Sequence, residues 1–347
     1  MIVTSLSEGD RRRPRATMRE VAALAGVSLK TVSRVVNRES GVSAEVVTRV
    51  ERAVGQLGYR HNLAASNLRR GHGKTAMVGA LLQDISNSFS SSLLRSLEDA
   101  ARDRDVVIVA ASLDEEPERE RMLVEGLVRR RVDGLLLMPA TDRHDYLADD
   151  LRSGLPIVFV DRSPNGIDTD SVTIDNARGS RLAVYHLVAH GHRRIAFLGD
   201  LPSIQTARAR HEGFEAAMRA RHIPLDPLRV ITSLRSPEDA EAAVARLLDS
   251  DEPPTAIFAA RNSLAVGTIR ALHSLGKAGQ IAVVGFDDFP LADIVDPPLT
   301  VVRQNVGAIG AEVAQRLFAR IDGDTSPPRH VVLAPELIER GSGEIRP

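Results

Sequence analysis

An interrupted helical pattern over residues 18–70 constrains this chain more than any other stretch. Val21, Leu24 and Ala25 recur at the spacing of one helix face, and Ala25-Gly26-Val27-Ser28 then breaks the repeat. Gly26 supplies the positive φ that a tight turn between two helices needs. Ser28 is placed to cap a second helix by accepting a hydrogen bond from a backbone N–H of its first turn. Over 29–37 that helix turns Val32, Val35 and Val36 inward and leaves Leu29, Lys30, Thr31, Ser33, Arg34 and Asn37 outward. Ser43 then caps a third helix over 44–57, with Val46, Val47, Val50, Val54 and Leu57 as its buried stripe. A fourth, shorter amphipathic piece follows over 61–70.

Two helices around a tight turn, the second carrying cations at i and i+4 (Lys30 and Arg34), make a helix–turn–helix suited to a major groove. The charge distribution agrees. Through Thr75 there are 14 Lys and Arg residues against 6 Asp and Glu, while the whole chain has a net charge of −1, so the remainder is acidic. A basic head on an acidic body is expected of a nucleic-acid reader with a separate second function.

The run A-T-M-R-E-V-A-A-L-A-G-V-S-x-x-T-V-S-R-V-V-N over 16–37, with L-G-Y-R over 57–60, resembles the head of the LacI/GalR family of bacterial regulators. The resemblance implies a hinge helix near 61–75 that pairs with its dimer mate in the minor groove and wedges Leu68 into the central step, with Arg69 over the phosphates. It completes the candidate DNA contacts as Ser28, Leu29, Lys30, Thr31, Ser33, Arg34, Asn37, Tyr59, Asn62, Ala65, Leu68 and Arg69. His61 stands where the family usually has a proline that presets the first helical turn. Gly73-Lys74-Thr75 invites a phosphate-loop reading, but that motif needs a glycine where Leu68 stands.

From Met77 the texture changes to short β-branched runs, among them MVGALL, VVIVAAS, GLLLMP, PIVFVD, IAFLG, RVITS, AIFAA and IAVVGFD. Helical patterns at 91–104, 117–130, 176–190, 208–221, 237–249 and 262–275 alternate with them. Strand–helix–strand repetition predicts parallel sheets with helices on both faces, and this many strands need two sheets. The expected fold class is therefore multi-domain: an all-α helix–turn–helix head with a hinge helix, then a two-lobed α/β body. The family implies a periplasmic-binding-protein-like body with a ligand cleft between its lobes. The boundaries read as a tail over 1–16, a head over 17–60 and a hinge and linker over 61–75. The first lobe is assigned 76–175 plus 304–328, and the second 176–303 plus 329–347. The resemblance puts the lobe crossings near Asp175-Asn176, Arg303-Gln304 and Arg329 to Val332.

In open α/β sheets ligands sit beyond the carboxyl ends of the strands. Polar strand-end residues and the family's pattern together select Asn87, Phe89, Asp161, Thr206, Arg210, Arg235, Asn262 and Asp287 as effector contacts. Carboxylates and guanidinium groups around one aromatic suit a neutral polyhydroxylated ligand, a sugar or sugar derivative. Arg235 with Arg261 admits a carboxylated or phosphorylated one.

His186, His190 and His192 are close in sequence, but Gly191 turns the third away and no carboxylate accompanies them, so no metal is expected. With no cysteine, no nucleophile elbow and no dinucleotide fingerprint, neither an enzyme nor a cofactor is expected. No apolar run of ~20 residues exists to span a membrane, and no secretory pattern opens the chain, so a cytoplasmic protein is expected. The combined reading is a homodimeric regulator, a repressor, on a near-palindromic double-stranded DNA operator, with the helix from Ser91 in the dimer seam as in relatives. A ligand-binding module without specific DNA binding is the competing reading.

Overall fold

The structure, a computed structural model, describes residues 16–37, 39–60 and 74–347. The chain divides into two compact units, one ending at Gly73 and the other beginning at Lys74.

The first unit holds α1 (Met18–Ala25), α2 (Leu29–Val36) and α3 (Ala44–Leu57). Thr17 and Glu20 close a reciprocal capping box at the start of α1. Gly26 ends that helix at φ 63°, a left-handed conformation that costs glycine little. Ser28 Oγ accepts from Thr31 N at 3.1 Å and starts α2. Ser43 occupies the corresponding position before α3, but its hydroxyl accepts no capping hydrogen bond. Val21, Ala22, Ala25, Val32, Val50 and Ala53 form the core, with Val35, Val36, Val46 and Val54 packed against it. The expected stripe was too wide. Leu24 is 51% exposed and Leu57, in the last turn of α3, is 36% exposed, while the small Ala53 takes the central contact. Three short helices cover only a narrow face of each partner.

The second unit is built on two six-stranded sheets. In the first lobe the order is β11-β5-β4-β3-β1-β2, from β1 (Met77–Leu82), β2 (Val107–Ser112), β3 (Gly134–Leu137), β4 (Ile157–Val160), β5 (Ser171–Ile174) and β11 (His330–Leu333). In the second it is β12-β10-β9-β8-β6-β7, from β6 (Ile195–Leu198), β7 (Val230–Ile231), β8 (Ala256–Ala259), β9 (Ala282–Phe286), β10 (Thr300–Arg303) and β12 (Glu336–Ile338). Every pairing is parallel except β10 with β12. Central strands such as β3, β4 and β8 are buried throughout, as layers covered on both faces require.

Helices α4 (Ser88–Arg102), α5 (Pro117–Arg129), α6 (Ala148–Arg152) and α11 (Val306–Ile321) serve the first lobe. Helices α7 (Asn176–Ala189), α8 (Gln205–Ala220), α9 (Pro237–Leu248) and α10 (Asn262–Ser274) serve the second. The chain passes between sheets after Ile174, after Arg303 and after Leu333. The third passage corrects the expected boundary at 329. His330–Leu333 pairs in parallel with Ser171–Ile174, so the first lobe retains it, and only from Glu336 does the chain join the second.

Helices α9 and α10 pack closely because Gly267 has no side chain. A Cβ there would stand 2.1 Å from the Pro237 carbonyl oxygen. Gly267→Ala must push backbone apart and is expected to cost about 1–3 kcal/mol. The expected readout is a lower urea midpoint at unchanged slope, and an unaltered midpoint would refute the contact.

Candidate nucleic-acid interface and interlobe cleft

On the head, α2 presents Leu29, 43% exposed, and Lys30 at its first turn. Thr31, Ser33, Arg34 and Asn37 are half-buried on the same helix and its cap. The Ser28 and Thr31 hydroxyls share a hydrogen bond of 2.9 Å, and Asn37 Nδ2 donates to Ser33 Oγ at 3.2 Å. Arg34 Nη2 donates to the Ser40 carbonyl at 2.7 Å, with Glu39 3.8 Å from its Nε, so this guanidinium braces the turn into α3. Tyr59 packs against the head's core. Asn62, Ala65, Leu68, Arg69 and the expected hinge over 61–73 lie outside the described residues.

In the body, seven of the eight expected effector residues converge between the lobes. Asn87, Phe89, Asp161, Thr206, Arg210, Asn262 and Asp287 line one cavity of about 50 Å³. Arg210, projecting from α8, is its hub. Its Nε donates to Asn176 Oδ1 at 2.8 Å, and its Nη1 donates to the Ala260 carbonyl at 2.9 Å and to Asp287 Oδ2 at 3.2 Å. The guanidinium stacks 3.7 Å above the Phe286 ring. Gln304 Nε2 donates to the other Asp287 oxygen. Asn87 of the first lobe and Asn262 of the second exchange hydrogen bonds of 3.0 and 3.2 Å, which hold the lobes together at the cavity wall.

Two further arginines are likewise matched to carboxylates. Arg162 makes a two-pronged contact with Glu115, and Arg261 donates to Asp200 at 2.6 Å. Asp161 is the exception, with Arg162 Nε at 3.6 Å its one ion-pair contact among the described residues. Burial pushes its carboxyl above the usual carboxylate range, and the neighbouring Arg162 and Arg210 only partly oppose this. Asp161 and Asp287 both hold left-handed backbone, at φ 68° and 69°. Strain of this kind persists where surrounding structure enforces it, and it gathers at binding sites.

Arg235 does not reach the cavity. Strand β7 is only two residues long, so the chain leaves the sheet early and places Arg235 in solvent beside the start of α9, its N–H donating to Asp239. Several lining residues were not anticipated, among them Glu115, Asp200 and Gln304. The first two follow β2 and β6, where the strand-end rule that selected Asp161 also applies.

The histidines correct a further expectation, because carboxylates do accompany His186. Glu339 Oε1 lies 3.7 Å from its Nδ1 and Glu344 Oε1 lies 2.8 Å from its Nε2. One ring nitrogen of His186 and one oxygen from each carboxylate lie within 4.8 Å of one another. Glu344 is also held by Thr300 Oγ1 and Gly341 N, so the cluster ties the C-terminal segment to α7. His192 spends both ring nitrogens on Thr255 Oγ1 and the Ile345 carbonyl.

A capped helix–turn–helix followed by two parallel-sheet lobes around a polar cleft defines the class of DNA-binding regulators with a periplasmic-binding-protein-like body. Comparison with known proteins gives the family. Residues 17–62 match the model described as bacterial regulatory proteins, lacI family, and 184–343 match a periplasmic binding protein-like domain. The ribose operon repressor of Escherichia coli K12 is 33% identical over 94% of this chain and 99% of its own length. The repressor PurR of Pasteurella multocida is 29% identical over 95% and 99%. The lac repressor dimer bound to operator superposes with a TM-score of 0.82, 28% identity and 95% and 99% coverage. A LacI family regulator from Enterococcus faecium with bound ribose gives a TM-score of 0.69, 29% identity and 77% and 98% coverage. The chain belongs to the LacI family of bacterial transcription regulators. These relatives are regulators of transcription rather than enzymes. Among the described residues no helix is long and apolar enough to cross a membrane.

Proposed function

We propose that this protein is a homodimeric repressor whose affinity for a near-palindromic operator is set by an uncharged, polyhydroxylated metabolite bound between the lobes. The observation that carries this reading is the Arg210–Asp287–Gln304 network at the lobe interface. Every guanidinium lining the cavity is already matched to a carboxylate, so an anionic effector finds no unclaimed cation there. Asp161, by contrast, is a buried acceptor with one long ionic contact, which a sugar hydroxyl would satisfy. The ribose repressor relative and the ribose-bound neighbour support a sugar, and the lac repressor dimer on its operator supports the assembly.

Control is a linkage: a ligand shifts operator affinity only as far as it prefers one lobe arrangement over the other. On the DNA side, Lys30 and Arg34 reach base edges or phosphates, and Leu29 meets a thymine methyl.

Anisotropy titrations with duplexes from upstream of the protein's own gene test this reading. One duplex with two-fold symmetry is expected to bind far above scrambled sequence, and a neutral sugar such as D-ribose to change that affinity. Arg34→Ala should reduce discrimination between operator and scrambled duplex by about 10-fold or more. Equal weakening on every sequence would move Arg34 to the phosphates, and no preferred duplex for the wild type would defeat the proposal.

A further inference from the structure

Helix α7 starts at the interlobe cavity, where Asn176 accepts from Arg210. Its last turn, about 15 Å farther along the axis at 1.5 Å per residue, carries His186. There the C-terminal segment folds back onto the helix and brings Glu339 and Glu344 to the imidazole. Neither the effector cleft nor the DNA-reading head uses this cluster.

We propose that His186, Glu339 and Glu344 hold a divalent transition-metal ion, Zn2+ by preference, which fastens the C-terminal segment to the second lobe. His186 ligates through Nε2, each glutamate through one oxygen, and water fills the remaining position. The proposal is independent of the effector that the cleft takes.

Three observations support it. His186 is 7% exposed, and its Nε2 is a buried atom without a hydrogen-bond partner. Glu344 Oε1 stands 2.8 Å away, but that approach lies outside hydrogen-bond geometry. A buried polar atom left in this way calls for a partner, and a cation shared by nitrogen and carboxylate is one. Bonds of about 2.0–2.2 Å from Zn2+ put two of its ligand atoms about 3–3.5 Å apart, a spacing that a small swing of Glu339, with its side chain 65% exposed, brings about. Secondly, the surroundings orient the ligands. Thr300 Oγ1 and Gly341 N donate to Glu344 Oε2 at 2.9 and 2.7 Å, and a Cβ at Gly343 would lie 3.0 Å from His186 Nε2, so glycine keeps the space beside that nitrogen clear. Thirdly, the donor set is selective. His192 commits both ring nitrogens elsewhere, and His190 Nδ1 pairs with the His186 carbonyl at 2.9 Å. One imidazole with two carboxylates suits Zn2+ better than Mg2+ or Ca2+, which prefer all-oxygen shells.

Calorimetric titration of the full-length, EDTA-dialysed protein with ZnCl2, MgCl2 and CaCl2 tests this. One Zn2+ is expected to bind this site in each chain, at least about 100-fold more tightly than Mg2+ or Ca2+. At about 100 times its Kd, Zn2+ should raise the melting temperature by about 5 °C or more. Glu339→Gln, at an exposed position that folding does not need, should weaken Zn2+ binding at least about tenfold and shrink the thermal shift to match. His186→Asn should abolish both, and Glu339→Gln carries the test alone if the buried substitution does not fold. Wild-type protein that binds no Zn2+, that binds Mg2+ equally well, or whose Zn2+ affinity survives Glu339→Gln unchanged overturns the proposal and leaves an ion pair between His186 and Glu344 in its place.

Discussion

Replacing Asp170 by alanine is expected to lower the stability of the body by about 3–5 kcal/mol, a drop in melting temperature of roughly 10 °C. Asp170 is 1% exposed and sits just before β5. Its carboxylate accepts from Arg316 Nε and Nη2 at 3.2 and 3.0 Å, from Arg320 Nε at 2.6 Å, and from the Arg329 N–H at 2.9 Å. One anion thus joins the last turns of α11 to the entry of β11. Truncation leaves Arg316, itself 4% exposed, as a buried cation without its main partner. That is the costly way to break a buried pair.

Burial alone would raise the Asp170 pKa, but the hydrogen bonds from Arg320, Arg329 N and Arg316 outweigh it and hold the carboxyl below the usual range. The resulting stabilisation is complete above about pH 4, the ordinary carboxylate value, and is lost as pH falls through the lower folded value. Thermal melts between pH 7 and pH 2 should therefore show wild type and Asp170→Ala converging only at the acid end. A variant melting within about 2 °C of wild type at pH 7 would contradict this account.

The second large effect concerns response rather than folding. Arg210→Ala should raise the effector concentration needed for half-maximal response by about 100-fold or more, while operator affinity without effector changes by less than about 3-fold. Arg210 joins Asn176, Ala260 and Asp287, and its removal leaves Asp287 without its cation and Asp161 with only the charge of Arg162 nearby. Arg210→Lys keeps the charge but loses the planar fork and the stacking on Phe286, so it should restore only part of the response. Anisotropy titrations of operator against effector read both quantities. An unchanged half-point would take Arg210 out of the ligand surface.

What the sequence disclosed, and what it hid, follows from the range of the interactions. The head was legible because its turns rest on local chemistry: Gly26 at positive φ and Ser28 over the first turn of α2 act within four residues. Long, uniformly apolar strands such as β1 and β9 were equally plain. Strands β5, β10, β11 and β12 are three or four residues long and mix polar with apolar positions, so nothing in them announces a partner far along the chain. Two consequences follow. The third lobe crossing was placed too early because β11 went unread, and Gln304 was missed as a cavity residue because the strand ending beside it was unread too. Arg235 erred the other way: the run RVITS reads as a full strand, yet only two of its residues pair. Leu57 was misjudged because periodicity gives a helix face but not how much of it so small a partner can cover.

The lateness of β11 also bears on how this protein is made. Ser171 and its partner His330 are 159 positions apart, so a nascent chain exposes one side of β5 until nearly all of the intervening lobe has been synthesised. Contacts of such long sequence separation form slowly, and bare strand edges recruit other chains meanwhile. Biogenesis of the first lobe is thus tied to completion of the second, and a ribosome stalled before codon 330 carries an open, adhesive β-edge.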